Sequence, residues 1–376
     1  MILVVNAGSS SIRVAVFDGG LVEQVSGIAD GIGDTGRLRI GNISQTHDFP
    51  EHQSALRAVL SGLAAEGYPL SAFHVAAHRV VHGGSLTAPA RLTPDTLAAI
   101  RAAIPLAPLH NPHGLAAMDA LARLAPSLAQ TASFDTTFHA TNPEVATRYA
   151  LPAHIAARGI RRYGFHGISF AALTETLPRL SGVPLPARLL ALHLGNGCSL
   201  CAIRDGRSVA TTMGYSPLSG LTMGTRAGEI DGNAVLRLAE EDGIDATRHL
   251  LNHESGLRGL SGGLSDMRAL IEADTAESRL AIQHFCYWVV RQSGSLIAAM
   301  GGVDALAFTG GIGENAAPVR ARIVEGLGWL GARLDAAANE AGVARLHAAG
   351  STLDIWIVPA AEEARIAADA LALLGA

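Results

Sequence analysis

Three glycine-rich turns, with a few arginines and histidines around them, are the parts of this sequence whose residue types and spacing could do chemistry. The first turn, Asn6-Ala7-Gly8-Ser9-Ser10-Ser11, falls between two apolar stretches. Small residues let backbone N–H groups converge on an anion, and hydroxyls add further donors. An ordinary hairpin turn is the alternative. The second, His193-Leu194-Gly195-Asn196-Gly197, has the same character. The third, Gly310-Gly311-Ile312-Gly313-Glu314-Asn315, follows an expected strand and precedes an expected helix. That placement suits a nucleotide, because a helix N-terminus favours phosphate and glycines allow close approach. Plain loop glycines between a strand and a helix would look the same.

Arginine is the only long cation available. All 28 Lys+Arg positions are arginine, so the chain has no lysine. A P-loop needs Gly-Lys-Ser/Thr and a protein kinase needs a strand lysine, so both are excluded. Phosphate handling here would fall to guanidinium groups, backbone N–H groups and metal. Arg79, in Ala77-His78-Arg79-Val80-Val81-His82-Gly83-Gly84, and Arg226, in Met223-Gly224-Thr225-Arg226-Ala227-Gly228, sit among small residues. A planar fork there matches carboxylate or phosphate bidentately, whereas most arginines are solvated surface charges. His166, in Tyr163-Gly164-Phe165-His166-Gly167, stands at an expected helix start and could donate to a transferring oxygen or cap a loop. Asp135 ends an expected strand, where α/β sheets place functional groups and where helix N-caps also fall. Glu362 and Glu363 follow another strand and could supply a metal carboxylate or favour a helix N-terminus.

Three motifs fail on context. Gly326 to Gly331 matches the dinucleotide pattern but closes a helical stretch instead of following a strand. Gly259 to Gly263 matches the nucleophile elbow without a strand before it, which argues against a serine hydrolase. Cys198 and Cys201 form C-x-x-C in a strand, where they would point to opposite faces, and no second pair completes a zinc site.

The elements that must position these residues read as α/β. Strand, glycine turn, strand, Asp-Gly and strand follow one another from Ile2 to Ile28, and the same order recurs from Leu189 to Thr212. Two such units half a chain apart suggest duplicated domains facing each other. Helical periodicity marks 51–66, 94–104, 167–177, 276–300 and 318–330, interleaved with strands at 73–80, 131–134, 305–308 and 353–358. Alternation of this kind is an α/β signature, and Thr141 to Pro152 is a plausible crossing between domains. At 376 residues and 49% hydrophobic, the chain can bury two cores. A net charge of -5 argues against a nucleic-acid partner. The most apolar run, Tyr287 to Phe308, carries Arg291, Gln292 and Asp304, which argues against a membrane span. Three cysteines and no signal-peptide pattern make a reducing cytoplasm the expected location.

Together the motifs resemble those of the acetate kinase family. The segments that carry the resemblance are 6–11, 78–84, 134–139, 163–167, 193–197, 223–226, 266–268 and 311–315, in family order and reaching to Glu362. The resemblance implies two duplicated ribonuclease H-like α/β domains of the acetate/sugar kinase–Hsp70–actin fold, with a central cleft. It implies domains at 1–140, completed by a C-terminal helix at about 362–376, and at 141–361. Asp135, His166, Arg226 and Arg79 match catalytic positions. Arg79, Val81, Leu109, His110, Phe165 and Pro217 match the carboxylate site and its small apolar pocket. Arg13, His193, Leu194, Gly195, Asn196, Gly197, Asp266, Met267, Arg268, Gly311, Ile312, Gly313, Glu314 and Asn315 match nucleotide contacts. Asn6 and Glu362 match the positions that hold Mg²⁺, or Mn²⁺ in its place.

The implied activity is reversible transfer of the terminal phosphoryl group between ATP and acetate, in line, giving acetyl phosphate and ADP. A homodimer is implied as well. Propionate or butyrate kinase is the nearest alternative, and a nucleotide-binding module without acyl substrate a more distant one. The chain departs from the family pattern at Arg13, where lysine is usual, at His113-Gly114, at Gly232 and at Ala361 beside the metal glutamate.

Overall fold

Alternating burial builds the first sheet. Strand β1 (Ile2–Ala7) turns Leu3 and Val5 to one face and Ile2 and Val4 to the other, and each set enters a different core. In this computed structural model, which describes residues 1–375, β1 pairs antiparallel with β2 (Ser11–Phe17). A meander then continues through β3 (Glu23–Asp30), β4 (Thr35–Ile40) and β5 (Ile43–Asp48). On the other side β1 runs parallel to β6 (Val75–Val80), which pairs parallel with β8 (Ala129–Phe134), while the short β7 (Ala90–Arg91) closes the edge. The resulting order is β5-β4-β3-β2-β1-β6-β8-β7. Helices His52–Ala65 and Asn111–Leu124 cover the Leu3 and Val5 face. The C-terminal helix Glu362–Leu374 covers the other with Ile366, Ala367 and Ala370.

A second compact unit, Phe138–His166 with Leu173–Ala360, is built around β9 (Arg188–Leu194), β10 (Cys198–Arg204), β11 (Arg207–Thr211), β12 (Ala305–Thr309) and β13 (Asp354–Ile357). β9 to β11 form antiparallel hairpins, and β12 lies parallel to both β9 and β13. The 25-residue helix Ala276–Met300 packs against β9, β10 and β11, capped by Thr275 and ended by Gly301. The order β11-β10-β9-β12-β13 reproduces the β3-β2-β1-β6-β8 order of the first sheet, strand for strand and sense for sense. The expected duplication is therefore present in the topology.

The first unit comprises Met1–Thr137, Gly167–Ala172 and the segment from Ala361. The β4–β5 hairpin and the helix Asn111–Leu124 had no clear mark in the sequence. Gly31 and Gly33 precede the hairpin, while Pro112 and Gly114 look like a turn although proline is well tolerated in a first helical turn. The stretch expected as one helix at 318–330 is instead a helix Ala317–Gly326 and a separate turn Gly328–Leu330. No helix among the described residues is long and apolar enough to cross a membrane.

Candidate active site

Parallel strands β1, β6 and β8 finish at one edge of the first sheet, and the residues there are polar. Val75 and Ala77 pack against the C-terminal helix, and Arg79 is next on the same face of β6. Its Nη2 lies 2.7 Å from Asp135 Oδ2 and its Nε 3.1 Å from Oδ1. Nη1 reaches Asn6 Oδ1 at 3.4 Å, and Glu362 Oε2 lies 3.9 Å from Nε. Burial works against the Arg79 charge, but the carboxylates of Asp135, Glu362 and Glu363 outweigh it and raise the pKa. Asp135 is 1% exposed and stands just past the end of β8; its backbone oxygen accepts the Gly167 N–H at 2.8 Å.

Glu362 begins the C-terminal helix, whose seat depends on residues that sequence reading did not single out. Ser133 donates to Asp369 Oδ2 at 2.8 Å, and Arg365 Nε to Asp369 Oδ1 at 2.9 Å. Across from Asn6 in register stands Arg13, exposed on β2. The Asn111 side chain bridges the backbone N–H and carbonyl of His82, at 3.2 and 2.9 Å, tying the Val81 segment to the helix that His110 precedes. Leu109 is 40% exposed. His52 Nε2 meets the carbonyl of Gly8 at 2.7 Å and pins the first glycine turn.

In the second unit His166 precedes the helix Gly167–Ser181 with a left-handed φ of 57°. Its Nδ1 lies 2.9 Å from Ser199 Oγ, and its ring stacks on His193 at 4.1 Å. A β-carbon on Gly197 would stand 3.3 Å from His166 Nε2 and 3.7 Å from Arg226 Nη1, so imidazole and guanidinium converge on that backbone. Arg226 Nη1 also donates to the carbonyl of Pro217 at 2.8 Å. Its loop is held from below by a π-helical turn, Leu250–Glu254: Ala227 N–H bonds to Leu251 O and Thr225 Oγ1 to Asn252 O. Gly256 follows at φ 64°, and a β-carbon there would lie 2.1 Å from Met223 O. Phe165 is fully buried.

Most of the remaining expected nucleotide positions line a cavity of about 820 Å³ in the same unit, among them Gly195, Asn196, Asp266, Arg268, Gly311 and Asn315. Ile312 and Met267 line it too, Leu194 is buried at the end of β9, and Gly313 is buried in the helical turn Gly310–Asn315. Asp266 accepts the N–H groups of Arg268 and Ala269 as a helix cap. Glu314 accepts from Gly310 N and Ala360 N, so its carboxylate shapes the segment. Arg320, 1% exposed and not singled out from sequence, donates to the carbonyls of Gly313, Glu314 and Asn339 and to Asn339 Oδ1. A solitary arginine in a helical pattern gave no sign of this.

Among the described residues no group of three or more His, Cys, Asp and Glu could hold a metal. A cation carried on nucleotide phosphates needs only one or two protein oxygens, with waters completing its shell. Asn6 and Glu362 offer such hard oxygen donors beside Arg79, so the residues present fit a phosphate-borne divalent ion.

A sheet of one topology occurring twice, with polar turns at corresponding strand ends, defines the duplicated α/β phosphotransferase class to which actin-like ATPases belong. The chain belongs to the acetokinase family, which it matches over residues 1–368. It is 44% identical to an acetate kinase of Rhodopseudomonas palustris (strain TIE-1), over 98% of this chain and 96% of that protein. To an acetate kinase of Methylocella silvestris it is 40% identical, over 99% of this chain and 98% of the relative. The crystal structure of Porphyromonas gingivalis acetate kinase superimposes with a TM-score of 0.90 at 33% identity, covering 99% of both chains. A propionate kinase from Francisella tularensis gives 0.93 at 33% identity, over 98% of both. Family membership implies ATP or ADP, a divalent metal and a carboxylate substrate.

Proposed function

We propose that this chain transfers the γ-phosphoryl group of ATP reversibly to acetate, giving acetyl phosphate and ADP. One observation carries the choice of acceptor: both oxygens of Asp135 are engaged by Arg79. An acceptor hydroxyl needs a base to take its proton, whereas a carboxylate has none to give. A carboxylate already spent on a guanidinium suits the second acceptor. Arg79 then orients the acyl carboxylate, with Val81, Leu109, His110, Phe165 and Pro217 assigned to its methyl group by family resemblance. Arg226 and His166 meet the negative charge that spreads over the equatorial oxygens during in-line transfer. The 820 Å³ cavity takes the nucleotide, with Asp266, Met267 and Arg268 on one wall and Gly311 to Asn315 on another. Asn6 and Glu362 would hold Mg²⁺, or Mn²⁺, which when bound neutralises β- and γ-oxygens of the nucleotide. Arg13, opposite Asn6 in register, adds a cation there.

The domain limits of 1–140 with 362–376 and 141–361, a homodimer and a cytoplasmic location belong to the same proposal and rest on family resemblance. Trapping of acyl phosphate as hydroxamate, with acetate, propionate and butyrate and with and without Mg²⁺, tests the reaction. The expected result is metal-dependent product, greatest with acetate. ATP binding without any trapped acyl phosphate would point instead to a nucleotide-binding module. Arg226→Ala should lower kcat by about 10²–10³-fold with the fold intact; near-normal turnover would remove Arg226 from the mechanism.

A further inference from the structure

The segment Phe134 to His139 contributes Asp135 to the reaction, yet its last residue has no part in the chemistry described above. His139 lies in the short turn Thr137–Thr141 and is 1% exposed. Its Nε2 is 2.9 Å from the carbonyl oxygen of Phe165, and its Nδ1 is 2.9 Å from Ser208 Oγ. The same hydroxyl lies 2.7 Å from Asn142 Oδ1. A carbonyl can only accept, so the proton of this imidazole resides on Nε2 and Nδ1 is the acceptor. Burial pushes the His139 pKa down to about 4, only partly offset by the bond to Phe165. The neutral ring thus has one N–H, and the Phe165 carbonyl takes it.

That carbonyl belongs to the peptide plane whose rotation sets φ of His166. The φ is 57°, a region that is strained for a non-glycine residue and persists only where its surroundings hold it. The preceding loop is fitted to the imidazole. Gly164 has φ 81°, and a β-carbon there would stand 2.6 Å from His139 Cδ2 and 2.6 Å from Thr211 Cγ2. The N–H groups of Tyr163 and Gly164 bond to the carbonyl of Gly214. His166, so oriented, meets Ser199 and stacks on His193.

We propose that His139 is a positioning residue for the phosphoryl transfer: through its Nε2–H it clamps the peptide before His166 and keeps that imidazole in its left-handed, productive pose. The proposal rests on the assignment of His166 as a stabiliser of transition-state charge. Removing the donor in His139→Leu should lower kcat on the order of a hundredfold, the scale expected when a reacting group is misplaced by about an ångström. KM for ATP and acetate should stay within about threefold, because ground-state contacts are untouched. His139→Gln, whose amide can still donate toward Phe165, should recover most of the loss.

A double-mutant cycle supplies the decision. In a His166→Ala background, His139→Leu should cost little further, since the residue it positions is gone. A full, independent loss in that background overturns the proposal, as does normal kcat in His139→Leu alone. Should His139→Leu fail to fold, Ser208→Ala takes its place: it loosens the Nδ1 side of the ring, and its kcat should fall several-fold unless His166 is already alanine. No fall in Ser208→Ala would then count against the clamp. The underlying assignment fails separately, if His166→Ala itself turns over normally.

Discussion

Arg79 and Asp135 form a two-pronged ion pair, 2.7 Å at Nη2–Oδ2 and 3.1 Å at Nε–Oδ1, at the ends of adjacent parallel strands. The fork fixes the plane of the guanidinium, whose other edge carries Nη1 toward Asn6 Oδ1. In the proposed reaction Asp135 therefore has an orienting role.

That assignment separates two behaviours of Asp135→Asn. The amide keeps one acceptor but loses the charge, so kcat/KM for acetate should fall about 10²-fold or more. The shape of the pH–rate profile should stay as it is in the wild type. Loss of the acidic limb in the variant would mean that Asp135 acts as a base after all. Arg79→Lys should be comparably impaired, since one ammonium cannot span both oxygens while turning an edge to substrate.

The loop that carries Arg226 depends on backbone approach. Alanine at 256 would place a carbon 2.1 Å from Met223 O and 2.6 Å from Arg226 O, at a φ of 64°. Gly256→Ala should cost about 2–3 kcal/mol of stability, combining strain with displacement, and should lower kcat. Gly262→Ala is the control: φ is 73°, but no atom lies within 4 Å of the added carbon. It should lose about 1 kcal/mol and keep its turnover. Equal kcat in both variants would dissociate the Gly256 contact from catalysis.

Arg320 is a buried cation whose acceptors are amide oxygens of Gly313, Glu314 and Asn339. Burial lowers its pKa. Replacement by leucine strands several carbonyls without donors, at a cost of about 3 kcal/mol. Because two of them shape the Gly310–Asn315 wall, KM for ATP should rise more than KM for acetate. Urea unfolding and steady-state kinetics on the same variant check both halves.

Three buried histidines should make stability fall on the acid side. Burial lowers the pKa of His78, His82 and His139 to about 4, from an unfolded value of 6.5. Between those values the unfolded chain binds protons that the folded chain does not, so the stability they contribute is present above pH 6.5 and is lost as pH falls toward 4. Each is worth up to about 3 kcal/mol at the acid end. Urea midpoints should therefore drop steeply from pH 6.5 to 4.5, and His78→Gln should flatten the slope. An unchanged slope would show that His78 is not among the groups responsible.

The amino-acid sequence by itself determined the α/β class, the repeated strand–turn–strand order and the glycine turns, because strand alternation and turn chemistry are local properties. The absence of lysine leaves arginine as the only long cation. Tertiary structure alone decided that Arg79 pairs with Asp135, that Glu314 caps its own segment, and that Arg320 and His139 brace the loops around them. Some of those facts join residues far apart in the chain, 26 positions for His139 and Phe165 and 56 for Arg79 and Asp135, and the others depend on which of several possible acceptors a side chain reaches. Such choices follow from burial, which leaves each polar group one set of partners and penalises every other.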